Sequence, residues 1–516
     1  MSLRNVNQNT SPDEEAGNAA SLLGQVLAAT ADASEAAILA TGLIERFLGT
    51  RDPVDAINLW VEQSGMRGRI CTSDAVLRLL NREVARIDRL LNAQLNAIIH
   101  HPRFQKLEAS WRGLSYLTEQ VDPAAKVRIR ILNLSWKGLT RDMERAMEFD
   151  QSQLFRKVYG QEFDTSGGEP FSILLCDHEV RLRPESGAPT DDIATLKAVS
   201  QVAAAAFAPF IASAHPALFG LDSFTQLQRP MNLHAMFEQP EYVRWDALRS
   251  QPEARFLGIV MPKVLMREPW SDNGSRADGF LFHEDTSAPD QSGYLFGNAV
   301  YAFGGVVTRA YCRSGWLADI RGVRRGYDEG GLISDLPHHN FATDSEGIAI
   351  RSSTDAMLTD LQEADLAELG LMPLCPCLDS AMSAFHSTPT LQKPEQFDSA
   401  EATVNARLSA MMQYILCVGR FAHYLKMMAR EKVGSYSSPD ECRSYLNNWL
   451  QQYVTYDSGA DESIKAQYPL SMAEADVKEH SDKPGSYYTT IYLQPHYQLD
   501  DMVSAVKLST EIRNDG

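Results

Sequence analysis

The segment Leu90–Leu117, LLNAQLNAIIHHPRFQKLEASWRGLSYL, constrains the fold more than any other stretch. Leu91, Leu95, Ile98 and Ile99 recur at helical spacing on one face. Pro102 disfavours helical geometry at His101 and so stops that helix. Phe104, Leu107, Trp111 and Leu114 then resume the three- and four-residue spacing. The pattern predicts two helices joined by a sharp break, each with an apolar stripe to bury. His100 and His101 invite an acid/base or metal reading, but adjacent helical residues do not face each other. A histidine at a helix C-terminus interacts favourably with the last carbonyls, and no HExxH-type spacing accompanies the pair. A structural role is the expectation.

A chain of 516 residues suggests about three domains. Its 48 basic and 67 acidic residues give a net charge of -19, which argues against a nucleic-acid binder. The seven cysteines are scattered and mostly in apolar surroundings, as in a reducing compartment. Cys375 and Cys377 form a C-P-C pair, whereas zinc and redox sites usually show C-x-x-C with further ligands. The polar N-terminus has no signal-peptide pattern. Lys197 to Asp222 is uncharged between its ends but is interrupted by Pro209 and Pro216, so it reads as a buried helix plus a turn and not a membrane span. A cytoplasmic protein without membrane insertion is expected.

In chain order, residues 1 to about 18 are expected to be disordered. Leu22, Leu23, Val26 and Leu27 form a short amphipathic turn, and a second helix carries Leu39, Leu43, Ile44, Phe47 and Leu48. Ser73 or Asp74 can cap the long helix that runs to Ile99. Val127, Ile129 and Ile131 alternate with Lys126, Arg128 and Arg130, the pattern of a half-exposed strand. Strands are also expected from Phe171 to Cys176 and from Arg255 to Pro262, and helices from Thr190 to Phe207 and from Gly293 to Val306. This order predicts a mixed α/β (α+β) domain over residues 76–385. The loop RGVRRGYDEGG matches neither phosphate-binding glycine motif, and Arg321, Arg324 and Arg325 read as salt-bridge or interface residues. After a proline-bearing break, one long helix is expected from Ala400 to Val433, with Arg420, Lys426 and Arg430 in its basic second half. A helix over Pro439 to Tyr453 follows. Two alternating strands close the chain, the last carrying Val506, Leu508, Thr510 and Ile512.

There is no G-x-S-x-G elbow, P-loop or HExxH. No catalytic, cofactor or metal residues are assigned. A structural assembly protein and a soluble cytoplasmic enzyme with an unlocalised active site are therefore the two classes to separate.

The run HHPRFQKLEASWRGLSYL resembles the "HHP-x-F-Q-x-LE-x-xWRGL-x-xL" signature of the large subunit of the type VI secretion contractile sheath, the TssC (VipB/EvpB) family. Further segments are similar to that family: GGEP at Gly167 to Pro170, AAFAPFIASAHPALFGLDSF from Ala205, YLFGNAVYAF, SDLPHHNF, GRFAHYLKMMAREKVGSY from Gly419, and LNNWLQQYV. The sequence after Pro170 and the 374–390 region depart from it.

The resemblance implies a multi-domain sheath fold without catalysis or cofactors. It implies an N-terminal tail and helical region (1–75) that contacts the small subunit TssB (VipA), a core domain (76–385), and an inner C-terminal domain of helices and strands (386–516). The subunit would co-assemble with TssB and with other copies of itself around the Hcp tube, attached to a baseplate, and contract to propel the tube. It implies that Leu22, Leu23, Val26 and Leu27 are read by the AAA+ ATPase ClpV. It further implies that the strand of Val506, Leu508, Thr510 and Ile512 joins the sheet of an adjacent subunit, and that Arg420, Lys426 and Arg430 are candidates to face the tube.

Overall fold

The structure is a computed structural model that describes residues 46–63, 73–273, 280–288, 291–323, 329–339, 352–377, 380–431, 439–457, 459–479, 487–496 and 506–512. Leu22, Leu23, Val26, Leu27, Arg324 and Arg325 lie outside them. The chain divides into two compact units, Met1–Leu91 and Asn92–Gly516. The first contains α1 (Pro53–Gln63) and most of α2 (Ser73–Ile99). The break at the paired histidines is present: α2 ends at Ile99 and α3 (Pro102–Glu119) starts with proline in its first turn.

A six-stranded sheet organises the second unit. Its members are β1 (Leu174–Val180), β2 (Phe210–Ala214), β3 (Leu257–Met261), β4 (Leu332–Ile333), β5 (Met372–Pro376) and β6 (Ser383–Phe385), in the order β1-β2-β3-β5-β6-β4. The first four positions in that order are parallel, β6 runs antiparallel to β5, and β4 pairs antiparallel with β6 and so runs in the sense of the first four. Every residue of β2 and β3 is buried, as expected where both faces are covered. Alternation assigns the faces. Phe210, Ala212, Leu257, Ile259 and Met261 belong to one core with Leu196, Val199 and Ala203, while Ile211, Val260, Met372 and Leu374 belong to another with Phe303, Val306 and Ala310. These helices are α5 (Asp192–Ala206), which follows α4 (Trp136–Arg145), and α6 (Val300–Ser314).

Helix α3 lies on α6 with two reciprocal close approaches. A Cβ added at Gly113 would sit 2.3 Å from the Tyr301 ring, and one added at Gly305 would sit 2.8 Å from the Tyr116 ring. Each helix thus offers a glycine to receive the other's tyrosine.

The C-terminal part is built on α8 (Met412–Glu431), which follows α7 (Ala400–Ser409). Met412 and Leu416 enter the second core, whereas Cys417, Val418, Phe421 and Leu425 join a third. That third core is shared with α9 (Pro439–Leu450) and with β7 (Leu470–Glu479) and β8 (Tyr487–Pro495), which form an antiparallel sheet with β9 (Val506–Ile512).

Five expectations need correction. The stretch Lys197–Asp222, expected as a buried helix plus a turn, leaves the helix at Ala206 and, after Pro209, forms the buried strand β2. The helix over Ala400–Val433 is interrupted at residues 410–411. There Thr390 N–H donates to Ala410 O (2.8 Å) and Met412 N–H to Thr388 O (2.9 Å), so a passing segment takes the backbone groups that helix continuation would use. Helix α6 begins only at Val300, because Phe296 and Gly297 form a short antiparallel ladder with Val264 and Leu265. The segment Lys126–Leu132 is extended but belongs to no sheet. Strand β7 was not expected, although Ala473, Ala475 and Val477 alternate with polar residues along it.

Gly113→Ala is expected to cost about 1–3 kcal/mol, the usual penalty for overpacking, in a denaturant titration. Gly113→Ala with Tyr301→Leu should recover most of it. Equal losses in the single and double variants would show that the α3–α6 approach is not set by this contact.

Candidate functional site

The residues of the opening helix pair act on the backbone of a passing segment. Asn92 and Asn96 on α2 and His100 just past its end stand at four-residue intervals on one face. Asn92 Nδ2 donates to Leu281 O (2.7 Å), and Asn92 Oδ1 accepts from His283 N–H (3.0 Å). Asn96 repeats this with His283 O (3.1 Å) and Asp285 N–H (2.9 Å). The two carboxamides together imitate the neighbouring strand that this segment lacks. His100 Nε2 lies 3.3 Å from Glu284 Oε1. His101 is the N-cap of α3, its Nδ1 accepting from Arg103 N–H at 3.3 Å. The paired histidines therefore split, one facing a carboxylate and one capping the next helix.

Glu284 is the centre of a buried charge cluster. Arg267 holds it with two hydrogen bonds of 2.5 and 2.8 Å, and Trp270 N–H donates a third at 2.8 Å. Arg267 Nε also reaches Glu108 (2.9 Å), which pairs with Arg112 one turn on (2.7 Å). Both guanidiniums lie within 6 Å of the Trp270 ring centroid. Burial pushes the Glu284 carboxyl up, but the donors facing it prevail and hold it below its ordinary range. The residues of LEASWRG that carry the family resemblance thus serve the interior: Glu108 and Arg112 in this cluster, Gly113 under Tyr301. The stripe left outside is apolar, with Ile98, Phe104, Leu107 and Trp111 exposed.

A second group of titratable side chains, which the sequence did not reveal, surrounds Lys263. Its Nζ lies 3.1 Å from Glu179, and its backbone N–H donates to Asp355 Oδ1 (2.9 Å). His215 Nε2 is 3.8 Å from Glu179, while its Nδ1 accepts from Ala217 N–H (3.1 Å). Burial pushes the Asp355 carboxyl up to about 7 and lowers His215 to about 4. These groups come from separate strands and loops, so no local spacing announces them. The geometry is that of a cross-braced interior, each group turned on another. Cys375 is buried in β5, its thiol pushed up to about 12 by burial. Among the described residues no group of three or more His, Cys, Asp or Glu side chains is arranged to hold a metal.

The basic half of α8 is engaged within the chain. Arg420 lies 4.7 Å from the Tyr311 ring centroid and 5.0 Å from that of Tyr424. Lys426 pairs with Asp164 (3.1 Å) and sits 5.3 Å from the Phe163 ring centroid. Arg430 donates to Phe163 O and Thr165 O, both at 2.9 Å. All three are half-buried. His423, which went unremarked in the sequence, is buried with its Nε2 2.9 Å from Ala206 O at the end of α5. Its ring, lowered to about 4 by burial, stays neutral at pH 7.

At the C-terminus, β9 pairs antiparallel with β8 of its own chain, Val506 opposite Leu493, Leu508 opposite Ile491, Thr510 opposite Thr489 and Ile512 opposite Tyr487. The opposite edge of this sheet is closed by α9. Arg443, Asn447 and Gln451, again at four-residue intervals, donate to Val477 O (3.1 Å), Ala475 O (3.1 Å) and Ala473 O (3.2 Å). Asn447 also accepts from Ala475 N–H (2.8 Å). Strand β9 is the remaining edge.

Comparisons with known proteins agree along almost the whole chain. The family described as EvpB/VC_A0108, tail sheath N-terminal domain, matches residues 81–392. The EvpB/VC_A0108 tail sheath gpW/gp25-like domain matches residues 401–512. The type VI secretion system sheath protein TssC1 of Pseudomonas aeruginosa is 35% identical over 460 residues, 89% of this chain and 90% of that protein. Among solved structures, a sheath tail protein from Desulfitobacterium hafniense aligns at 12% identity and a TM-score of 0.31, covering 65% of this chain and 57% of that one. The contracted helical sheath of the anti-feeding prophage aligns at 11% identity and a TM-score of 0.25, covering 62% and 64%. The chain thus spans less than two thirds of either solved sheath protein. Among the described residues no helix is long and apolar enough to cross a membrane.

Two measurements test this account. Glu284→Gln and Arg267→Met should each destabilise the chain, with Arg267→Met the worse at about 3–5 kcal/mol because it strands a buried carboxylate. Losses under 1 kcal/mol would remove the cluster from the fold's foundations. For His423, the ring is depressed in the folded chain, so its contribution is complete above about pH 6.5 and is lost as pH falls towards 4. That loss amounts to about 3 kcal/mol, and His423→Gln should flatten the stability profile in this window. An unchanged profile would contradict the buried neutral ring.

Proposed function

The chain belongs to the EvpB/VC_A0108 tail sheath family, and from that premise we propose how it works as the large structural subunit of a type VI secretion contractile sheath. The observation that carries the reading is the match of two sheath domains in succession over residues 81–392 and 401–512. The subunit co-assembles with the small sheath subunit TssB and with further copies of itself around an Hcp tube, joined to a baseplate, in the bacterial cytoplasm. It performs no catalytic turnover. The N-terminal region (1–75) contacts the small subunit, and Leu22, Leu23, Val26 and Leu27 are the residues that ClpV recognises. Residues 76–385 form the sheath core, and 386–516 form the inner domain.

Two features support assembly through this surface. Large apolar side chains stand exposed on α2 and α3 (Ile98, Phe104, Leu107 and Trp111), where an isolated chain gains nothing from them. Strand β9 is the second edge of a sheet whose other edge is covered by α9. In the assembly, Val506, Leu508, Thr510 and Ile512 link one subunit to the sheet of the next. Such an exchange keeps the hydrogen-bond count nearly constant, so subunits can rotate without separating. Arg420, Lys426 and Arg430 face the tube through their remaining exposure. Contacts that are already shared with Asp164 and the tyrosines are weak and screened, which suits a tube that must be released. Contraction draws on a small stability difference between two packings, repeated over many subunits.

Electron microscopy of this chain co-expressed with its genomic small partner is the test. Long hollow tubules are expected, and deletion of Val503–Gly516 should abolish them while leaving the circular dichroism of the remainder intact. A well-behaved monomer or dimer with no tubules at any salt concentration would overturn the sheath reading.

A further inference from the structure

The segment Arg156–Phe163 is a π-helix of eight residues, and the next N–H, that of Asp164, donates to Tyr159 O at 2.8 Å. Such winding is rare and mostly confined to a single turn inside an α-helix. Here it continues directly from the α-helical turn Gln153–Phe155. That turn is pinned from outside. Asp142 accepts from Gln153 N–H and Leu154 N–H, both at 3.0 Å, and Ser152 Oγ accepts from Phe155 N–H at 3.1 Å. The winding changes downstream of this anchor, so its cause lies at the other end.

Two kinds of contact hold that end. Within the chain's own turn, the α-helical acceptor for Asp164 N–H would be Gly160 O. The Thr165 hydroxyl already donates to that carbonyl at 2.6 Å. From outside, α8 grips the terminus: Arg430 donates to Phe163 O and Thr165 O, and Lys426 pairs with Asp164. Lys426 Nζ also lies 5.8 Å from the Tyr159 ring centroid, and the His423 ring meets Phe163 edge-on at 5.4 Å. Another side of the segment is tied elsewhere, where Glu162 pairs with Arg130 and accepts from Glu169 N–H at 3.0 Å. The outer side is open, with Arg156, Lys157 and Gln161 exposed.

The eight residues include no proline, so α-winding is their ordinary alternative. With the start fixed, a change from five-residue to four-residue hydrogen bonds turns every later side chain about the helix axis. Glu162 then leaves Arg130 and the Glu169 amide, and the Phe163 carbonyl leaves Arg430.

We propose that Arg156–Phe163 is a two-state joint: the π-winding persists while Arg430 and Lys426 grip its end, and opening of that grip rewinds it to α-helix and withdraws Glu162 from Arg130. It couples the end of α8 to the extended segment 126–132. The joint is a property of the single chain and does not depend on the sheath reading.

The experiment uses the full-length chain carrying Arg156→Cys and Gln161→Cys, both at exposed positions. Residues at this spacing are brought close by π-winding and lie on different faces of an α-helix. A short thiol crosslinker should bridge the pair, against a control with Arg156→Cys alone. Adding Arg430→Gln and Lys426→Gln should slow bridging by about tenfold or more, the scale of a lost hydrogen bond to a charged group. Thr165→Val, which frees Gly160 O at an exposed position, should slow it as well. The Glu169 amide is bonded to Glu162 and not to α8. Its hydrogen exchange should nevertheless quicken by about tenfold when the two cations are removed. Should that variant unfold, which lost protection of α5 would reveal, Thr165→Val alone decides. A parent pair that does not bridge, or bridging at one rate in all three chains, would overturn the joint. Slower bridging with the Glu169 amide still protected would overturn the coupling to Arg130.

Discussion

The buried pair of Arg267 and Glu284 is the contact on which much of the second unit depends. Two charges taken this far from water are tolerable only if every remaining donor and acceptor is met. Here Glu108, His100 and the Trp270 N–H meet them. Those partners come from α2, α3 and two stretches of the chain beyond residue 260. The requirement for full satisfaction therefore dictates how the helix pair lies against the 281–285 segment. The same helix pair is held against α6 by a different physical rule, the glycine–tyrosine exchange, so it is fixed by charge on one side and by shape on the other.

A second constraint acts at α8. Its first turn belongs to a core with the parallel sheet, and its later turns belong to a core with the C-terminal sheet. Gly419 lets the helix approach Phe207 O, to which an added Cβ would come within 2.7 Å, and His423 accepts the position at the end of α5. Arg430 and Lys426 then clamp the far end at Asp164. A displacement of the C-terminal sheet is thus transmitted to the parallel sheet through one rigid helix instead of a flexible linker. For a subunit proposed to rotate within a sheath, that rigidity decides which joints can move.

The sequence made much of this legible where a feature is local and periodic. The break at Pro102, helix α5, strands β3, β8 and β9, and the body of α6 all follow from spacing, whereas β2 was hidden in a stretch that reads as a helix plus a turn. The failures have physical causes. The break at residues 410–411 depends on Thr388 and Thr390, which are close in space but encode nothing about helices. The Lys263, Glu179, His215 and Asp355 group is assembled from four distant places. The contacts of Arg420, Lys426 and Arg430 are also illegible, because sequence shows charge and not the aromatic rings, carboxylate and carbonyls that receive it. One missed signal was readable: Asn92, Asn96 and His100, and likewise Arg443, Asn447 and Gln451, are hydrogen-bonding side chains repeated at four-residue intervals along one helix face. Such a stripe is what a helix needs to cover the edge of a strand.

That device sharpens the meaning of the places where it is missing. The chain covers the 281–285 segment with carboxamides and the β7 edge with α9, leaving the groups there little reason to attract another strand. Among the described residues it does neither for Arg128–Leu134, and no further strand pairs with the outer edge of β9. Both exceptions are extended, both alternate, and both are held in place before any partner arrives. Water can satisfy such groups at little cost, so they do not destabilise the isolated chain. What they lack is the apolar cover and the cooperative ladder that only another polypeptide supplies. On the proposed assembly, the free energy of joining subunits is therefore concentrated at strand edges whose geometry is already set. The interior is spared from contributing, and can remain the same whichever packing the sheath adopts.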